Sequence, residues 1–307
     1  MNIVAFLSAD HIGDTLFVFP ILSALRAKYP DAHLTFVSYG LVLPLALEWE
    51  LADEVLDCKD EQWKELSSSK GIRSPKLLAL LGKTDCMICW QVDMGGVISR
   101  NLHNAGVKSV FVVPEDPIES GSMHVADFMA KAAGLQALGI ENVIAEYVPP
   151  TWERGNTFCY YIPPIAVHPG STDEKRRWPA SYFATVINGL LRRKYPVLLL
   201  AGPSEGETLS LVLKDIARDM KSENLMILAN KPLLEVARQL RQCRFFLGND
   251  SGIGHLAGLL GIPTLSLFGP TDPTLKRPAG PYVETLQEMP MENLSPGRVL
   301  EHILQRL

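Results

Sequence analysis

Short apolar runs alternate with stretches of helical period along most of the chain. In the first half the runs predict strands over 3–8, 33–38, 54–57, 85–90 and 109–113. Helical spacing predicts helices over 15–29, 43–49, 74–81 and 124–135, with a loop rich in Pro, Asp and Glu over 114–122. The same pattern restarts in the second half. Strands are predicted over 165–168, 197–201, 226–228, 245–247 and 264–267, and helices over 180–194, 205–219, 233–242, 253–260 and 296–307. Strands alternating with helices specify an α/β fold, a parallel sheet with helices on both faces. Pro149-Pro150 and Pro163-Pro164 bracket a poorly periodic stretch that reads as a linker. Two domains follow, 1–150 and 151–307. In open sheets of this kind ligands bind at the carboxyl ends of the strands, and two such sheets face to face would form a cleft.

The totals narrow the class. With 47% hydrophobic and 21% charged residues, the 307-residue chain can bury a sizeable core. No run reaches the roughly 18 apolar residues of a membrane span. Met1–Leu7 lacks a signal peptide's basic n-region and reads directly as a strand. Five dispersed cysteines suit reduced thiols in a cytoplasm better than a disulfide framework. Cys86 and Cys89 form a Cys-x-x-Cys, but within an apolar strand-like run and with no second pair beside it. Charge is divided unevenly. Residues 1–150 hold 11 Lys+Arg against 19 Asp+Glu, a net of −8, whereas residues 151–307 hold 18 against 15, a net of +3. The acidic half argues against nucleic acid or an anionic surface as its partner.

Candidate chemistry gathers in strand-end loops. The run Phe246-Leu247-Gly248 ends in Asn249-Asp250-Ser251-Gly252, and a small-residue helix carrying His255 starts at once. The free N–H groups and positive dipole end of such a helix suit an anion. Asp250 either accepts from a ligand hydroxyl or caps the helix. Ser251 and Gly252 can face phosphate, and His255 either faces it too or packs beneath the loop. A second loop, His168-Pro169-Gly170-Ser171-Thr172, leads into Lys175-Arg176-Arg177. There Gly170 allows close approach of backbone to a ligand, the hydroxyls and amides donate, and the cations meet a pyrophosphate. The competing reading is a solvated charged loop. Glu205, after the next strand, suits ribose hydroxyls or is a first-turn acid favoured by the helix dipole. In the first half, Gly13 permits a tight turn and Asp14 is either a helix cap or a general base. His11 is a second candidate base. Paired phosphate-type loops in one half imply a nucleotide diphosphate ligand.

Asp250-Ser251-Gly252 with His255-Leu256-Ala257, then Gly261-Ile262-Pro263-Thr264 and Phe268-Gly269-Pro270-Thr271-Asp272-Pro273, resembles glycosyltransferase family nine. Its best-known members are ADP-heptose:lipopolysaccharide heptosyltransferases. The likeness extends to His168-Pro169-Gly170-Ser171 with Arg177-Trp178-Pro179, and to Gly13-Asp14-Thr15-Leu16 with Pro20, Leu25-Arg26 and Tyr29-Pro30. It implies a GT-B architecture of two Rossmann-like domains, the donor in the second and the acceptor in the first. It implies inverting transfer from a nucleotide sugar, ADP-heptose first among them, with neither metal nor cofactor. The absence of an Asp-x-Asp motif fits that expectation. By the same resemblance Asp14 matches the base, and Ser171, Thr172 and a cation of the Lys175–Arg176 pair match donor-phosphate positions. Glu205 matches a ribose-contacting acid, and Asp250, Ser251, Gly252 and His255 match the donor loop. Acceptor candidates are His11, Gly13, Lys64 and Arg73, the last two from a basic set with Lys70, Lys76 and Lys83. Trp90–Gly96 departs from the family's usual Asp-Leu-Gln-Gly segment. Other acceptors and functions therefore stay open: a small aminosugar natural product, another nucleotide sugar, or an inactive nucleotide-sugar-binding protein. The expected place is the cytoplasm, with peripheral contact at the inner face of the membrane left open.

Overall fold

In this computed structural model residues 1–113, 123–150, 162–216 and 224–307 are described. Chain contacts divide the protein into two units, Met1–Val148 and Pro149–Leu307.

The first unit runs β1 (Asn2–Phe6), α1 (Ile12–Leu16), α2 (Phe19–Lys28), β2 (His33–Ser38), α3 (Leu43–Glu48) and β3 (Glu54–Asp57). After a 3-10 helix at Glu61–Ser67 come α4 (Pro75–Leu81), β4 (Cys86–Val92), α5 (Val97–Asn104), β5 (Ser109–Val113) and α6 (Val125–Ala132). The strands pair in the order β3-β2-β1-β4-β5, and every pairing is parallel. Strands buried on both faces need near-continuous apolar sequence. Cys86-Met87-Ile88-Cys89-Trp90 supplies it, all five buried. Burial pushes the Cys86 thiol up to about 11 and the Cys89 thiol up to about 12, so both stay protonated at neutral pH. That Cys-x-x-Cys is core, and neither thiol is in a disulfide.

The second unit runs β6 (Ile165–His168), α7 (Ala180–Arg192), β7 (Val197–Ala201), α8 (Gly206–Asp215), β8 (Leu225–Ala229), α9 (Leu233–Leu240), β9 (Phe245–Asn249), α10 (Gly252–Leu259), β10 (Thr264–Phe268), α11 (Pro273–Lys276), β11 (Val283–Gln287) and α12 (Pro296–Leu304). Its order is β11-β10-β9-β6-β7-β8, again all parallel. Trp178, Phe183, Ile187, Phe245, Leu247 and Leu265 fill one core beneath the sheet. Each such side chain stabilises the fold by about 1.5–3 kcal/mol when fully buried.

The chain departs from the sequence expectations where local chemistry intervenes. The single helix expected over 15–29 is two, because Pro20 has no N–H to continue the ladder and instead opens α2. Gly13 makes no tight turn; it is an ordinary residue of α1. Gly95 and Gly96 adopt φ of 69°, a left-handed pair that launches α5, an element absent from the sequence expectations. Edge strand β11 was also missed. Its sequence Val-Glu-Thr-Leu-Gln carries too few apolar residues to stand out, because only one neighbour covers it. The loop over 114–122, the linker interior over 151–161 with Cys159, and the last residues of the helix expected over 205–219 lie outside the described residues.

Candidate functional site

In the second sheet the strand order reverses between β6 and β9, which pair side by side with His168 opposite Gly248. Such a reversal leaves a crevice at the carboxyl ends of the strands, where open α/β sheets take ligands. The two loops singled out by sequence leave from these two strands, and Glu205 follows β7 on the other side of β6.

Asn249 ties the loops together. Fully buried, it accepts the Trp178 N–H at Oδ1 (3.0 Å) and donates from Nδ2 to the Pro169 carbonyl (2.8 Å). The Trp178 indole N–H in turn donates to the Leu294 carbonyl at 2.9 Å. The Ser171 hydroxyl donates to the Asp250 carbonyl at 3.2 Å. These bonds satisfy buried polar groups and fix the distance between the loops.

On this clamp sit the charged groups. Asp250 is 3% exposed and its Oδ2 lies 3.2 Å from Arg176 Nη1. The other carboxylate oxygen is 3.9 Å from His255 Nε2. Arg176 also donates to Thr172 Oγ1 at 3.3 Å, and Arg177 donates from Nε to the Ser171 carbonyl at 2.7 Å. The basic loop is thus partly pinned, not a free solvated face. Lys175 differs: its side chain is exposed and has no partner among the described residues. Ser251 caps α10, its Oγ accepting the Gly254 N–H, so Asp250 is not the cap. Gly252 is the first residue of α10, and the first N–H groups of a helix have no intrahelical partner.

Glu205 is not a first-turn acid. It precedes α8, and its Oε2 accepts from Gly202 N–H (2.6 Å) and His168 Nε2 (2.9 Å). Burial pushes this carboxyl up, but the bond and charge of His168, the Gly202 bond and the nearby Arg177 outweigh burial and hold it below the ordinary Glu value. Gly170 serves this acid directly, since a Cβ there would fall within the Glu205 carboxylate. The glycine expected to admit a ligand admits a neighbouring side chain. His168 and Asn249 were both missed as site residues; a polar residue ending an apolar strand is the signal that could have found them.

In the first unit, Asp14 lies in the first turn of α1 and is exposed, with no hydrogen-bond or ion-pair partner among the described residues. The N-cap position is His11, whose side chain caps nothing, so Asp14 is not a cap either. Lys64 pairs with Glu61 at 2.7 Å, which offsets its charge, and Arg73 is exposed with its backbone N–H bound by Glu65. The departing segment after β4 is held by Asp93, 3% exposed, which accepts from the N–H groups of Ile98 (2.7 Å) and Ser99 (2.9 Å). The start of α5 is therefore filled by the protein's own carboxylate. Among the described residues no group of three or more His, Cys, Asp or Glu could hold a metal ion, and no helix is long and apolar enough to cross a membrane.

Residues 95–302 match the family model for glycosyltransferase family 9 (heptosyltransferase). The chain belongs to this family. It is a heptosyltransferase-like glycosyltransferase. A lipopolysaccharide heptosyltransferase 3 from Escherichia coli is 24% identical over 296 residues, covering 87% of this chain and 83% of the relative. The solved E. coli ADP-heptose lps heptosyltransferase II aligns at a TM-score of 0.75 and 17% identity, covering 99% of this chain and 98% of that one. An E. coli heptosyltransferase solved with ADP aligns at 0.74 and 16% identity, each chain covered fully at 100%. The fold is accordingly GT-B, as the resemblance implied. The family match leaves out residues 1–94, which hold Asp14 and all four acceptor candidates, His11, Gly13, Lys64 and Arg73.

Proposed function

We propose that this protein transfers a heptosyl group from ADP-heptose to a hydroxyl of a lipopolysaccharide core acceptor, with inversion and without a metal ion. The observation that carries the reading is the donor site of the second unit. A cation-bearing loop and the open N-terminus of α10 lie across adjacent strands, with an ionised Glu205 alongside. That set suits a nucleoside diphosphate: amides and cations for the phosphates, an acid for the ribose diol. The names of the relatives supply the sugar and the acceptor.

In this reading Asp14 takes the proton of the acceptor hydroxyl. The new C–O bond forms at the anomeric carbon as the bond to the diphosphate breaks on the opposite face. Charge gathering on the departing ADP meets Lys175, Arg176 and the first amides of α10, which do the work a metal ion does elsewhere. The protein would work in the cytoplasm and meet the membrane through its acceptor.

The test is transfer by purified protein from ADP-heptose to heptose-deficient core in the presence of a chelator. The product is expected with the inverted anomeric configuration. Turnover only with a different nucleotide sugar, a retained configuration, or a need for divalent cation would each overturn the corresponding part. A second reading, transfer to a small neutral or cationic acceptor such as an aminosugar, is favoured by the net −8 of residues 1–150. It predicts turnover of such compounds and none of core lipid.

A further inference from the structure

Three cations stand in a row after β6, and they are held in different ways. Arg176 is held through its side chain by Asp250 at 3.2 Å, and Arg177 through its Nε by the Ser171 carbonyl at 2.7 Å. The Lys175 side chain is exposed and has no partner among the described residues. Where its ammonium reaches is therefore set by its backbone. One hold on that backbone is local: Asp173 Oδ1 accepts the Lys175 N–H at 3.0 Å. The other comes from two strands away, from Gly269 in the loop that follows β10. A Cβ on Gly269 would lie 3.1 Å from the Lys175 carbonyl oxygen. It would also lie 2.8 Å from Met291 Cγ and 3.0 Å from Met291 Sδ. All three distances are shorter than ordinary van der Waals contact. The backbone of Gly269 is not left-handed, so it is the space, not the conformation, that calls for glycine. Met291 is 4% exposed and belongs to the core beneath the sheet.

The loop of Gly269 is fixed from the edge of the sheet. Gln287 ends β11 beside Phe268 in register, and its Nε2 donates to the Gly269 and Thr271 carbonyls at 3.0 Å each. We propose that Gly269 is a positioning residue for donor binding: its loop, braced by Gln287 and Met291, seats the Lys175 carbonyl and so aims the lysine ammonium at the donor diphosphate. This inference rests on the donor reading of the site. A methyl group on Gly269 displaces the partner that yields more easily. That partner is the exposed 3-10 turn Glu174–Arg176, since Met291 is packed in the core. The shift carries the Lys175 head out of line with phosphate, and hydrogen bonds weaken steeply with misalignment.

The test is calorimetric titration with ADP of the wild type, Gly269→Ala, Lys175→Ala and the double variant. Gly269→Ala is expected to weaken ADP binding about threefold to tenfold, part of what a hydrogen bond to a charged group contributes. In the Lys175→Ala chain the same substitution is expected to change affinity by less than about twofold, because the group it misplaces is gone. Gln287→Ala removes both loop donations without adding an atom. It is expected to show the same dependence on Lys175, and it carries the test if Gly269→Ala does not fold. Salt gives a second readout that loosening of the loop alone would not move. Between about 0.01 and 0.15 M, wild-type affinity is expected to fall more steeply than that of Gly269→Ala or Lys175→Ala, since a displaced charge leaves less to screen. Unchanged affinity in both loop variants overturns the proposal. So does a loss equal in size with and without Lys175, or a salt dependence in Gly269→Ala as steep as in the wild type. If Lys175→Ala alone binds ADP as the wild type does, the lysine has no part in the donor site and needs no positioning. If folded wild-type protein binds no ADP, the donor reading itself fails, and the proposal with it.

Discussion

At the scale of single residues, the contrast between Lys175 and Arg176 is sharper than the sequence implied. Adjacent cations look interchangeable in a motif. In the fold Arg176 is half of an ion pair with the buried Asp250, whereas the Lys175 head is exposed and unpartnered among the described residues. Removing one partner of a buried pair leaves the other desolvated and uncompensated. Arg176→Ala should therefore lower both thermal stability and donor affinity. Lys175→Ala should weaken donor binding by about 1.5–3 kcal/mol with the melting temperature unchanged, if its ammonium meets phosphate. Calorimetry and thermal melts on the two variants separate these effects; equal melts would remove Asp250 as the reason. Asp14 was legible by its place after the first strand, but the choice between cap and base was not. The fold removes the cap, since the N-cap is His11 and Asp14 has no partner among the described residues. Asp14→Asn should then cut turnover by about 10²-fold or more, with donor affinity intact. A loss of donor affinity with turnover preserved would contradict the general-base role.

Among the elements, strands were legible and boundaries set by single residues were not. The buried strands announce themselves because a parallel sheet covered on both faces demands unbroken apolar runs, as in Val197–Ala201 and Phe245–Asn249. Edge strand β11 escaped because that demand lapses at an edge. Helix α5 escaped because its start depends on a left-handed glycine pair and the Asp93 side chain, tertiary features with no period to read. The two strand-end loops of the candidate site stand out in the sequence by their glycines and charges, but the residue that sets their separation, Asn249, is silent in such a search. It matters through two partners far away in sequence, Pro169 and Trp178. Asn249→Ala strips both of their hydrogen bonds in a fully buried place. The expected cost is about 2–4 kcal/mol of stability, since each unsatisfied buried group costs about 1–3 kcal/mol. Chemical denaturation is the direct measurement. A change below about 0.5 kcal/mol would mean that the loops are held by packing alone.

For the molecule as a whole, charge asymmetry sets a condition on the acceptor. Residues 151–307 carry +3 and hold the loop of Lys175 and Arg176, while residues 1–150 carry −8 and contain the acceptor candidates. A phosphorylated core acceptor is polyanionic. Its approach to an acidic surface is opposed by a field that salt screens, with a Debye length near 10 Å at about 0.1 M and near 30 Å at about 0.01 M. The two substrates should therefore respond to salt with opposite signs. Raising ionic strength from about 0.01 to 0.15 M should raise the KM for the nucleotide sugar, whose cationic contacts are screened, and lower the KM for an anionic acceptor. Lys64 would offer little relief, because Glu61 pairs with it at 2.7 Å. Steady-state kinetics at fixed pH over that range decides the matter. If the acceptor KM instead rises with salt, a local cationic surface around Arg73, Lys76 and Lys83 overrides the net charge, and charge-reversal substitutions there should raise it further. If the acceptor KM is flat while the donor KM rises, the acceptor is uncharged where it meets the protein, which favours the aminosugar-type reading over core lipid.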